Sequence, residues 1–80
     1  MPTLEAEQQE LRRAEQHIAA GRRLYQDQLA AIGSLRQRGL STVEAEALLE
    51  AMEQSLDEME RHRDLVARRV LELSRDHRES

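Results

Sequence analysis

Arg38-Gly39-Leu40-Ser41-Thr42-Val43-Glu44 is the strongest punctuation in the chain, and the fold follows from how it is read. Glycine suits the left-handed backbone position just past a helix end, so Gly39 marks the close of one helix. Leu40 then stands where it folds back onto Leu35 in a Schellman-type closure. Ser41, followed three residues later by Glu44, has the spacing of a capping box that opens a second helix; Thr42 is the alternative cap, one residue on. A single turn between two periodic segments means a helical hairpin.

The segments on either side carry the period that a hairpin needs. Before the turn, Leu4, Leu11, Ile18, Tyr25 and Ile32 recur every seven residues, with Ala14, Gly21, Gln28 and Leu35 three positions after four of them. After it, Ala45, Leu49, Met52, Leu56, Met59, Arg63, Val66, Val70 and Leu73 follow a four-three spacing with one polar interruption. This is the heptad signature of paired helices. Gly21 falls inside the first helix, where it costs about 1 kcal/mol relative to alanine, and its expected use is the close approach of a partner helix. The spacing predicts helices over 3–38 and 42–76, a turn at 39–41 and a frayed end at 77–80, each helix about 50 Å long at 1.5 Å per residue.

Composition narrows the possibilities further. The chain has 80 residues, 35% charged and 39% hydrophobic, with Tyr25 as its only aromatic residue and no cysteine. Ten of the hydrophobic residues are alanines, so few large side chains remain for a core. A core of this size rarely supplies more than about 3–5 kcal/mol unless a disulfide, metal or partner subunit reinforces it. Without cysteine, disulfides and thiolate chemistry are excluded. All twelve basic residues are arginine and the net charge is −4, a poor balance for neutralising nucleic-acid phosphates. No apolar run approaches the roughly 20 residues of a membrane span, and Met1-Pro2-Thr3-Leu4-Glu5 does not read as a signal peptide, so a cytoplasmic location is expected.

Charge order favours antiparallel pairing. Folding about the turn sets residue i roughly opposite 81 − i. Seven acids and no base lie between Glu44 and Glu60, and the facing stretch carries Arg22, Arg23, Arg36 and Arg38 against Asp27 alone. Toward the open end the signs reverse, with Glu5, Glu7, Glu10 and Glu15 facing Arg61, Arg63, Arg68, Arg69, Arg75 and Arg78. Each exposed pair contributes only about 0–1 kcal/mol, but a parallel pairing would set like against like. By the same rule Gln28 is expected near Glu53, and Arg63 near Ile18 with Glu15 or a partner's carboxylate in reach.

Candidate chemistry is sparse. His17 and His62 approach the same level of the hairpin, and Glu58 shares a helix face with His62, so these three are the candidate metal ligands. His77, near the end of the chain, carries no signal. There is no glycine-rich phosphate loop and no Gly-x-Ser-x-Gly elbow, and carboxylates on a solvated helix lack the burial that would tune them for catalysis. His62-Arg63-Asp64-Leu65 lacks the acid and proline that follow the phosphoacceptor histidine of sensor-kinase dimerisation domains. Ser55-Leu56-Asp57 matches only a fragment of the Ser-Gln-Glu-Leu-Asp core of the small sporulation phosphatases.

His17, Ile18, Gly21, Leu35, Gly39, Thr42, Ala45, Leu48, Leu49, His62, Arg63 and Asp64 form a pattern over about fifty residues. It resembles short proteobacterial hairpin proteins that read His-Ile-x-x-Gly, a Leu-x-x-x-Gly turn, Thr-x-x-Ala-x-x-Leu-Leu and His-Arg-Asp. Ser41 stands where that group often has aspartate, another helix-capping residue. The resemblance implies a helical hairpin and carries no activity with it.

The expected fold is all-α, a two-helix antiparallel coiled-coil-like hairpin that dimerises into a four-helix bundle. Beside the seam lie further hydrophobic residues, Leu24, Leu29, Ala31, Leu48, Leu65 and Leu71, a stripe too wide for one neighbour. The expected function is protein–protein contact, with no catalysis and no cofactor, and with a second copy as partner. The interface residues are Leu11, Ile18, Tyr25, Ile32, Leu49, Met52, Leu56, Met59, Arg63, Val66 and Val70. One alternative is a small regulator, two-component or antitoxin-like, with one dedicated protein partner; another is a metal-binding bundle using His17, His62 and Glu58.

Overall fold

The computed structural model describes residues 2–79, with side chains described as far as residue 76. Two helices, α1 (Leu4–Gln37) and α2 (Val43–Glu79), pack against each other as a rod of 64 × 16 × 15 Å. Among the described residues there is no strand, and no helix is long and apolar enough to cross a membrane.

Local chemistry sets the boundaries. The Thr3 hydroxyl accepts the Ala6 N–H at 3.1 Å, so Thr3 is the cap of α1 and the helix starts one residue later than its spacing predicts. At the other end Gly39 has φ +69°, Leu40 N–H donates to the Leu35 carbonyl at 2.9 Å and Gly39 N–H to that of Arg36 at 3.0 Å. These two bonds are the pair that defines a Schellman closure, as the sequence indicated. The second cap differs from the capping box. Glu46 N–H donates to the Thr42 carbonyl at 2.8 Å, which makes Thr42 the capping residue, while the Ser41 hydroxyl accepts from Val43 N–H at 3.4 Å. α2 continues to Glu79 rather than ending at 76, since no glycine or proline interrupts it.

The seam uses both heptad rows. Ala14, Ile18, Ile32 and Val66 are buried, and Val66 is wholly enclosed. The register differs from the 81 − i rule. Gly21 lies against Leu56, and Tyr25 reaches Glu53, so the seam follows about 77 − i. The reason lies in the turn: Leu35 and Thr42 are the last half-buried positions of the two rows, so the chain reverses closer to Arg38 than to Leu40. An added Cβ on Gly21 would stand 2.9 Å from Leu56 Cδ2, so the absent side chain lets the helices approach here.

Candidate interaction surface

Every one of the eleven expected interface residues, from Leu11 to Val70, is buried or half-buried in the seam between α1 and α2. Within the hairpin they face each other's helix, and the surface open to another molecule is formed by the residues beside them. Leu24, Leu48, Leu65 and Leu71 are 57, 50, 48 and 65% exposed, Leu29 is 40% exposed, and Ala31 is exposed too. These residues fall on two sides of the seam.

One side is laced by polar bonds. Arg22 meets Glu60 at 3.3 Å and Arg36 meets Glu46 at 2.6 Å, and the Tyr25 hydroxyl donates to Glu53 at 2.8 Å. Arg22, Leu29 and Arg36 are seven apart on α1, as Glu46, Glu53 and Glu60 are on α2, so each row presents one edge of its helix. The bond to Glu53 is the main cause raising the Tyr25 hydroxyl above its ordinary pKa of 10.0, with desolvation and the nearby carboxylate charge adding to it. Among the expected ion pairs this edge therefore holds Arg22 and Arg36.

The opposite side is built from a second pair of rows, Glu10, His17, Leu24, Ala31 on α1 and Leu48, Ser55, His62, Arg69 on α2. His62 Nε2 and Glu10 Oε1 lie 3.2 Å apart across it. Leu24 and Ser55 rim an open apolar groove of about 110 Å³, with Gly21, Met52, Leu56 and Met59 as its floor. No ion pair crosses this middle stretch among the described residues, and within each row large and small side chains alternate, Leu24 with Ala31 on α1 and Leu48 with Ser55 on α2.

Other expected partners are rearranged. Gln28 donates to the Ala45 carbonyl at 2.9 Å instead of approaching Glu53, because the register is about four residues shorter than assumed. Arg63 keeps its stem in the seam and turns its guanidinium to Asp64 at 2.7 Å, not to Glu15; at 30% exposure its charge reaches the surface. Glu7 stands three residues after Leu4 in the seam row, a position the periodicity marks but its charge disguises. Its side chain is 13% exposed, with Oε2 buried, without a hydrogen bond and 4.0 Å from Arg69. His17, His62 and Glu58 do not converge, and no group of three metal-ligating side chains occurs among the described residues. The side chain of His77 lies outside the described residues. Compared with family models, curated proteins and solved structures, the chain matches none.

Proposed function

We propose that this chain is a protein–protein interaction module that self-associates, two hairpins closing into a four-helix bundle. The observation that carries this reading is the exposed leucine at both edges of a seam that, among the described hydrophobic residues, encloses only Ala14, Ile18, Ile32 and Val66. Two helices form a single seam without a second layer, and burial of that extent leaves a marginal fold. A second copy supplies the missing layer with a surface of the same character. Co-purification tests it: a tagged chain refolded together with an untagged one is expected to retain the untagged copy. Retention of none would contradict self-association.

The second reading is a small regulator that covers the same leucines with a dedicated protein partner. It is favoured by four acids of α2, Glu44, Glu50, Asp57 and Glu58, which are exposed and make no ion pair among the described residues. A partner recognised this way would present a basic surface.

A further inference from the structure

The two edges of the hairpin are not equivalent as docking surfaces. Building on the self-association reading, we propose that a second copy docks on the edge carrying Leu24, Ala31, Leu48 and Ser55, with both turns at the same end of the bundle. The argument has a steric and an electrostatic part.

Sterically, a two-fold axis running along the hairpin sets α1 of one copy over α2 of the other at equal height. The rows then match by level: Leu24 over Ser55 of the second copy, and Leu48 over its Ala31. Each large side chain meets a small one, and the exposed Leu24 enters the rim of the apolar groove floored by Leu56 and Met59. The other edge offers no comparable fit, since Arg22, Arg36, Glu46 and Glu60 already bond across it.

Steric fit alone would also allow the copies to run with turns at opposite ends, and charge decides between the two. Asp27 lies three residues after Leu24, and Glu44 and Glu58 flank Leu48 and Ser55 on the same side of α2. With turns opposed about the centre of the apolar stretch, Asp27 would face its own copy and Glu44 would face Glu58, like charge on like. With turns together, Asp27 falls over Ala51 and Glu58 over Ala20. The ends of the patch then gain opposite charges, Glu10 against Arg69 of the second copy and Arg38 against its Glu44. A second copy with this orientation is therefore the complementary occupant.

The test combines mass and distance. A spin label on Gln9→Cys, at an exposed position near the open end, is expected to show an inter-copy distance below about 35 Å, within two hairpin thicknesses. A distance beyond about 50 Å, the value that 1.5 Å per residue gives for opposed turns, would overturn the orientation. Leu24→Glu with Leu48→Glu is expected to raise the dissociation constant on the order of a hundredfold while helicity of the hairpin persists; Leu29→Glu is expected to change it less than about threefold. Equal weakening by Leu29→Glu would overturn the choice of edge, as would a dimer unaffected by the double variant. The unsubstituted chain separates this failure from the broader one: if it is monomeric at every concentration, self-association itself falls.

Discussion

The two edges flanking the seam are made by the same two helices and differ in what their heptad rows hold. On one, Arg22 and Arg36 find Glu60 and Glu46, and Tyr25 finds Glu53, so the polar groups are satisfied within the hairpin. On the other, Leu24 is 57% and Leu48 50% exposed, and Leu24 and Ser55 rim an apolar groove. Exposed ion pairs contribute little energy, about 0–1 kcal/mol each, but they keep an edge content in water and specify the pairing of α1 with α2. Exposed leucines do the reverse: they leave unrealised burial that another surface would recover. One edge ties the chain to itself, and the other is the one we propose for binding.

The largest effect within the hairpin is expected at the floor of the groove. Gly21→Val places branched bulk where a Cβ alone lies 2.9 Å from Leu56 Cδ2, and is expected to destabilise the chain by about 1–3 kcal/mol in denaturant titration and to weaken self-association. A stability equal to that of the unsubstituted chain would mean the close approach at Gly21 is not needed. Gly33 sharpens the contrast. It is exposed in α1 with nothing within 4 Å of an added Cβ, so Gly33→Ala is expected to stabilise by about 0.5–1 kcal/mol through helix propensity alone.

The polar edge should respond weakly. Arg36→Gln is expected to cost no more than about 1 kcal/mol, and the difference from the unsubstituted chain should shrink in high salt while the dimer persists. Dissociation of the dimer by this one change would place the polar edge in the interface and reverse the comparison. The smallest effect is the pH dependence of Tyr25. Its folded pKa is raised above 10.0, so the bond to Glu53 contributes stability that is fully present below that value and is lost as pH rises through the folded one. The Tyr25→Phe chain should lack that step when unfolding is followed from pH 8 to 12.

The sequence made the hairpin legible because its signals agree. Gly39 reads as a left-handed closure, Ser41 or, one residue on, the alternative Thr42 as the next cap, and the heptads run through both segments; the structure takes Thr42. Register was harder. Folding at the midpoint of the turn sets i against 81 − i, whereas the Schellman closure reverses the chain at Arg38 and Gly39 and moves the centre of the seam to about 77 − i, while Arg22 and Arg36 on the polar edge still meet Glu60 and Glu46. That shift gives Glu53 to Tyr25, brings Gln28 to Ala45 and leaves His62 with Glu10. Leu24, Leu29, Leu48 and Leu71 were visible as surplus apolar positions, but their division between two edges depends on which helix edge faces which, and so on the register. Glu7 is legible only as an open-end acid facing arginines, where Arg69 lies 4.0 Å away; its half-burial is hidden because a charge in a seam row reads as surface.

The account rests on the leucine edge being closed by a second copy. Light scattering from the purified chain over a tenfold or greater concentration range measures this directly. A mass of twice 9.3 kDa that persists on dilution is the predicted result. A constant monomer mass, with helicity that rises only when a different protein is added, would contradict it.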